Sequence, residues 1–369
     1  MFHGADEYLH LLPCFVIVTR MEEIREMTTD ILIVGAGAAG LAVFFGVQKA
    51  GGTALLCDER DVPGGILPQC IHKGFGLGVF GEDLSGPEYL ERYLKRMKEA
   101  GVNAGLPAEG KSSEKVSSRE KLHGEKSSMT ESTSEDGQLT RSLMFSTTVL
   151  SLSRDKTALL TGPAGLLRVR FRELVLATGC REKPLYALPV EGPRPSGIYT
   201  AGEAQELVNL LKREIGNRIV ILGSGDIGQI MARRFTLLGK KVLAVIEKND
   251  HPGGLLRNRK QCLEAFHIPV ILSATVTRVH GMPALSGVTV SHSDTGKEEF
   301  IACDTLVTSL GLIPDRTIAD GLLSDGQYPS WVHFAGNADH VHEIVDSVTR
   351  EGEALGEKLA RSPGKNSRQ

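Results

Sequence analysis

Two short apolar runs in this chain end in the same glycine spacing. Asp30-Ile31-Leu32-Ile33-Val34 runs into Gly35-Ala36-Gly37-Ala38-Ala39-Gly40, and Arg218-Ile219-Val220-Ile221-Leu222 runs into Gly223-Ser224-Gly225-Asp226-Ile227-Gly228. Each pattern predicts a strand that turns through G-x-G-x-x-G into a helix. Further on, Tyr89, Leu90, Tyr93, Leu94 and Met97 recur at helical spacing between Pro87 and Gly101. Thr147–Leu150, Ala158–Leu160 and Leu166–Phe171 are strand signals separated by turn residues, which predicts a small antiparallel meander. Leu174–Leu176 reads as a buried parallel strand ending in the small-residue turn Ala177-Thr178-Gly179-Cys180, and a similar strand ends at Leu310-Gly311. Val332–Ala335 ends at Gly336-Asn337 and is followed by a helix-like segment from Glu343 to Ala360.

The glycine turns carry candidate chemistry. The first glycine turns the chain, the second lets backbone approach a pyrophosphate, and the third lets helix pack on strand. The helix N-terminus then offers unpaired N–H groups to the phosphates. Each motif also has its acidic partner. Asp58 closes the run Ala54–Cys57, and Glu247 closes Val242–Ile246. A carboxylate there accepts ribose hydroxyls and repels a 2′-phosphate. One such motif is a weak signal, whereas two in this setting predict two dinucleotides on one protein.

Composition sets limits on this picture. The 369 residues suffice for about two domains, and a net charge of −3 gives no footprint for nucleic acid or an acidic membrane surface. Cys14, Cys57, Cys70, Cys180, Cys262 and Cys303 form no C-x-x-C pair and no zinc or iron–sulfur spacing, so no metal site is expected. Such usage suits reduced thiols in a cytoplasm, and no apolar run is long enough to span a bilayer. The stretch Leu9–Val18 is a poor secretory signal, being interrupted by His10 and Pro13 and preceded by Asp6 and Glu7. The fold is therefore expected to start near Met27, leaving residues 1–26 as an extension. Between Pro107 and Gln138 the larger aliphatic residues are Val116, Leu122 and Met129 alone, so residues 107–142 read as a disordered insertion.

The order of these signals resembles the flavoproteins with two dinucleotide-binding domains. Within them it is similar to the FAD/NAD-dependent pyridine-nucleotide oxidoreductases that accompany FAD-dependent glycerol-3-phosphate dehydrogenases of anaerobic bacteria. The strings that carry this are Gly64-Gly65-Ile66-Leu67 with Gln69-Cys70-Ile71-His72, Thr178-Gly179-Cys180-Arg181-Glu182, the second glycine motif, Gly311-Leu312-Ile313-Pro314, and Gly336-Asn337 with His340-Val341-His342. The resemblance implies an α/β fold of two three-layer Rossmann-like domains. A discontinuous FAD domain (27–195 and 305–360) with a β-meander would be interrupted by an NAD domain (196–304) and followed by a tail (361–369).

The resemblance also implies roles. Gly35, Gly37, Ala38, Gly40, Gly65, Thr178, Gly179, Gly336 and Asn337 would hold FAD, with Asp58 or the neighbouring Glu59 on its ribose. Gly223, Gly225, Asp226, Ile227, Gly228, Glu247 and Gly311 would serve the nicotinamide side. Related flavoproteins carry an aspartate where this chain has Asn337. Hydride would pass from NADH to the flavin, whose reduced form would be stabilised by the N-terminus of the helix near Glu343. Electrons would go on to a flavin dehydrogenase, a small acceptor protein or another small acceptor. Cys70, with His72 two residues on, is either a redox thiol or a packed one. His340 and His342 either serve the flavin or cap the helix. An electron-transfer subunit without its own substrate pocket, and a nucleotide sensor without turnover, are the competing readings.

Overall fold

Two parallel sheets, each entered by one of the glycine motifs, organise the chain. This computed structural model describes residues 24–102 and 142–362; all but the last residue of the expected insertion, nearly all of the N-terminal extension and most of the tail lie outside the described residues. In the first sheet Arg25–Val34 lies between Ala54–Cys57 and Gly165–Leu176, parallel to both, and Leu143–Met144 pairs with the far edge of Ala54–Cys57. The strand begins at Arg25, two residues before the expected start, because Arg25 and Glu26 still pair with Leu167 and Arg168.

The alternation of side chains assigns the layers. Ile31 and Ile33 face the helix Ala38–Lys49 together with Tyr93 and Met97 of the helix Gly86–Glu99. Leu32 faces the other way, onto Leu55, Leu160, Val169 and Leu174. The meander is present as Thr148–Ser153, Thr157–Gly162 and the first half of Gly165–Leu176. Two strands were expected where this last element runs unbroken. Its polar break, Arg172-Glu173, stays in register because the Glu173 carboxylate takes Arg172 at 3.0 Å and His333 at 2.9 Å. Its second half pairs with Val332–Phe334. The segment 318–329 holds a single antiparallel bridge, Ser324 to Gln327, in place of a strand pair; Thr317–Leu322 forms a 3-10 turn that buries Ala319 and Leu322 against the meander.

The second sheet is wholly parallel, in the order Ile198–Thr200, Thr305–Thr308, Arg218–Leu222, Lys241–Ile246, Val270–Ile271. An antiparallel trio, Ala274–His280, Gly287–His292 and Glu298–Ile301, follows it. The expected boundaries at 195/196 and 304/305 are displaced. Thr305–Thr308 is a central strand of the second sheet, and Leu185, Tyr186, Leu188 and Val190 pack in its core. The chain crosses between the units instead through the antiparallel pair Cys180–Glu182 and Leu312–Pro314.

The last helix, Val345–Arg361, closes the first unit against Ala38–Lys49 at very short range. A Cβ on Gly356 would lie 2.1 Å from the Val43 carbonyl oxygen, and one on Gly46 would lie 2.2 Å from that of Glu353. Around this seam Tyr89 meets Thr349 at 2.6 Å, and Arg96 grips Glu353 with two 2.9 Å hydrogen bonds. Gly356→Ala is therefore expected to lower stability by about 1–3 kcal/mol through overpacking. Gly321→Ala, whose Cβ meets nothing within 4 Å, should be near neutral. Equal midpoints for the two variants in denaturant titrations would contradict the close-packed seam.

Candidate cofactor-binding site

In the first motif Gly35 has φ +102°, and a Cβ there would lie 2.4 Å from the Ala177 carbonyl oxygen. A Cβ on Gly40 would be 1.7 Å from the Gly35 oxygen, so helix and strand end touch directly. Gly37 differs: its Cβ position looks into open space, with the Gly65 Cα at 3.9 Å as its nearest neighbour. The helix Ala38–Lys49 begins there with no side-chain cap and no acid in its first turn. Gly336 packs on Ala39, where a Cβ would come within 2.6 Å of the alanine methyl. Thus Gly35, Gly37, Ala38, Gly40, Gly65, Thr178 and Gly336 gather around one bare helix N-terminus, with Gly179 and Asn337 adjoining Thr178 and Gly336 in the chain. The Thr178 hydroxyl donates to the Asp315 carbonyl at 2.5 Å.

The acid at the strand end is wired into this turn. Asp58 accepts from the Ala36 N–H at 2.5 Å and from the Arg60 N–H at 2.8 Å. Glu59 instead lines an open cleft of about 540 Å³ with Arg60, Val62, Gly65, Ser146 and Glu206.

The second motif repeats the arrangement. A Cβ on Gly223 would lie 2.1 Å from the Ser309 oxygen, and one on Gly228 would lie 2.5 Å from the Gly223 oxygen. Gly225 is open, with only Ser309 Oγ at 3.5 Å. Gly311 stands two residues after Ser309 as Gly179 stands two after Ala177, so it belongs to the second turn and to the crossing strands. Glu247 accepts from the Ser224 N–H at 3.0 Å, the Ser224 hydroxyl at 2.6 Å and the Asn249 N–H at 3.0 Å. Burial pushes its carboxyl up, but these hydrogen bonds outweigh burial and hold it below the usual carboxylate range.

Each cradle offers what an adenosine diphosphate half requires: an open glycine, unpaired N–H groups and a fixed carboxylate. Residues 29–328 match the family described as pyridine nucleotide-disulphide oxidoreductase.

The chain belongs to the pyridine nucleotide-disulphide oxidoreductase family.

Oxidoreductases of this family use FAD and NAD(P)H. Hydrogen cyanide synthase subunit HcnB of Pseudomonas protegens is 24% identical over 358 residues, covering 89% of this chain and 68% of that one. The alpha subunit of sarcosine oxidase from Corynebacterium sp. (strain P-1) is 26% identical over 205 residues, 54% of this chain, which therefore matches only 17% of that protein's length. Thioredoxin reductase of T. acidophilum shares the fold with a TM-score of 0.63 at 18% identity, covering 90% of this chain and 98% of that one. The NAD-dependent persulfide reductase of A. fulgidus does so with 0.58 at 18% identity, covering 92% and 60%. None of the helices among the described residues is long and apolar enough to cross a membrane.

The sequence reading named Gly65 and Asp226 but missed the hydrogen-bond partners at their turns: Arg60, Gly253, Leu255 and Asn258. In the second unit a loop folds onto the helix N-terminus: Asp226 accepts from the Leu255 N–H and from Asn258 Nδ2, both at 2.7 Å, and the Gly253 N–H donates to Ser224 Oγ at 2.7 Å. In the first unit the Gly64 N–H donates to the Ala36 oxygen at 2.8 Å, and Arg60 donates to the Gly65 oxygen at 2.8 Å. The signal for both loops was a second internal repeat, Asp61-Val62-Pro63-Gly64-Gly65-Ile66-Leu67 against Asp250-His251-Pro252-Gly253-Gly254-Leu255-Leu256.

The field expected from the last helix is modified. It starts at Val345, and its first turn carries buried Asp346, which accepts from the Gly76 N–H at 3.2 Å and the Val79 N–H at 2.6 Å. That carboxylate offsets part of the positive helix end.

Cys70 and His72 are not joined by any hydrogen bond. Cys70 is buried between the units, its thiol 3.6 Å from Gln205 Oε1 on the helix Ala201–Asn209. Gln69 donates to the same oxygen at 3.3 Å, and Asn209 donates to the Gln69 carbonyl at 2.9 Å. Burial pushes the Cys70 thiol up to about 12, which favours the packed reading over the redox one. Burial likewise lowers His72, whose ring rests on Phe75 at 5.1 Å. Because folding raises the thiol's value, its contribution to stability is complete below the ordinary thiol range and fades as pH climbs toward about 12. Cys70 in the folded protein should accordingly resist iodoacetamide at pH 8 and react once the chain is unfolded. Native labelling at the unfolded rate, read by peptide mass mapping, would restore the redox reading.

Proposed function

We propose that the chain takes hydride from NADH onto FAD and passes the electrons to a partner flavin dehydrogenase, a small acceptor protein or another small acceptor. The observation that carries this reading is the duplicated cradle, in which a carboxylate is tied to the N–H inside each G-x-G turn. FAD supplies the hydride-accepting and electron-storing chemistry when bound. Gly37 admits its pyrophosphate, Asp58 takes its ribose hydroxyls, and Asn337 offers the Gly336 turn an acceptor without a charge. The loop from Gly64 to Gly74 spans the units: Gly65 touches the first cradle, and Gly74 lies against Arg257 of the second. With both cofactors bound, that loop would help to exclude water between them.

The finer subgroup, flavoproteins that accompany glycerol-3-phosphate or amine-oxidising dehydrogenases, is part of the proposal. It is supported by relatives that are subunits of larger enzymes, two of them named oxidases: the alpha subunit of sarcosine oxidase, hydrogen cyanide synthase subunit HcnB, and one of the opine oxidase subunits of Agrobacterium tumefaciens. The same names favour a second reading, an electron-transfer subunit that reduces dyes but no metabolite of its own. Cys70, buried and protonated, suits either reading.

Glu247 sets the expected nucleotide preference. Its carboxylate stays ionised and pairs with no cation among the described residues, so a 2′-phosphate beside it would be repelled. Stopped-flow flavin reduction should favour NADH over NADPH by about 10-fold or more, equivalent to about 1.4 kcal/mol. Glu247→Gln keeps an acceptor for Ser224 and should narrow the ratio. Equal rates with the two nucleotides in the unaltered protein would refute the assignment.

A further inference from the structure

The turn after Gly336 and the last helix bring two histidines and a glutamate to one point. One ring nitrogen each of His340 and His342 and a carboxylate oxygen of Glu351 lie within 4.8 Å of one another. The two imidazole rings are 4.1 Å apart, tilted by 32°. The His342 side chain is almost fully buried, at 5% exposure, whereas that of Glu351 is 55% exposed. The site is therefore anchored inside and open to solvent on one side.

The hydrogen bonds decide which nitrogens are available. Asn337 Oδ1 accepts from the His342 backbone N–H at 3.0 Å, and the same oxygen faces His342 Nδ1 at 3.3 Å. His342 Nδ1 therefore carries a proton, and its Nε2 presents a lone pair. That lone pair faces Glu351 Oε2 at 2.8 Å. Either a proton or a metal ion can lie between two acceptors at that separation. His340 repeats the arrangement, with Nδ1 facing the Asp339 carboxylate at 3.0 Å, which leaves its Nε2 free. A proton on His342 Nε2 would satisfy Glu351 alone and leave the His340 ring without a role in the cluster. A single metal ion satisfies both lone pairs and the carboxylate at once. Imidazoles that bind metals are characteristically held this way, the other ring N–H donating to a carboxylate or carbonyl oxygen.

We propose that His340, His342 and Glu351 bind one divalent transition-metal ion of the zinc type, with Asp339 and Asn337 orienting the two rings. Two nitrogens and one oxygen suit Zn²⁺ or Fe²⁺ and disfavour Mg²⁺ and Ca²⁺. With metal–ligand bonds of about 2.0–2.2 Å, the ligand atoms must draw together, which the exposed His340 and Glu351 can do by side-chain rotation. A fourth position faces solvent and takes water. Because Asn337 belongs to the Gly336 turn, the ion would tie that turn to the last helix.

The test uses the purified chain with its flavin, stripped with chelator and titrated with Co²⁺, followed by displacement with Zn²⁺. One Co²⁺ per chain is expected, with visible d–d absorbance that Zn²⁺ abolishes. His340→Ala and Glu351→Gln alter exposed side chains and leave the fold intact, which an unchanged thermal midpoint and circular dichroism spectrum verify. Each should weaken Co²⁺ binding by about 100-fold, and Asp339→Asn by about 10-fold. His292→Ala, which breaks the separate His292–Glu299 pair at 3.3 Å, should have no effect. Absence of stoichiometric binding, or tight binding that survives either His340→Ala or Glu351→Gln, would overturn the site and reduce the cluster to an ordinary ion pair.

Discussion

At Gly40 and Gly228 the helix after each glycine turn comes so close to the strand end that a side chain has no room: a Cβ would lie 1.7 and 2.5 Å from the carbonyl oxygens of Gly35 and Gly223. Everything at the two cradles depends on that contact. It brings the helix N-terminus to the carboxyl edge of the sheet, where N–H groups without partners can meet phosphate. It also aligns the middle residue of G-x-G with the acid at the neighbouring strand end. Ala36 then donates to Asp58 and Ser224 to Glu247. A backbone N–H and a carboxylate hold each turn in the shape a dinucleotide needs before one arrives.

The units meet through a different kind of contact. Gln69, Cys70, Gln205 and Asn209 form a buried polar seam between the loop after Pro63 and the helix Ala201–Asn209, and Gln205 Nε2 has no partner in it. Glu182, on the crossing strand, receives the Gly202 N–H at 2.8 and 2.9 Å. Hydrogen bonds of this type contribute about 1 kcal/mol each, far less than the apolar cores on either side. The two units are thus each firmly built and comparatively lightly joined.

The sequence revealed what local pattern determines. Both strand–turn–helix units, the acids at Asp58 and Glu247, the meander and the helix Gly86–Glu99 followed from periodicity and glycine spacing. What it hid depends on distant partners. Thr305–Thr308 reads as a generic buried strand, and only its pairing with Ile198–Thr200 and Arg218–Leu222 assigns it to the second unit. Arg172-Glu173 looked like a break because His333, far along the chain, was needed to satisfy the carboxylate. The burial of Cys70 comes from a helix that begins at Ala201, which no spacing around Cys70 could indicate. The repeated Pro-Gly-Gly-aliphatic-Leu string was legible, yet its meaning rests on contacts to Ser224 and Asp226 made across the turn.

The most direct test of two cradles serving one electron path is an anaerobic titration of the FAD-loaded protein with NADH, followed at the flavin absorbance. One NADH per flavin should bleach it fully, with two electrons taken up and no long-wavelength charge-transfer band, because Cys70 is protonated and has no partner cysteine within the described residues. A flavin that stays oxidised under excess NADH would contradict the account.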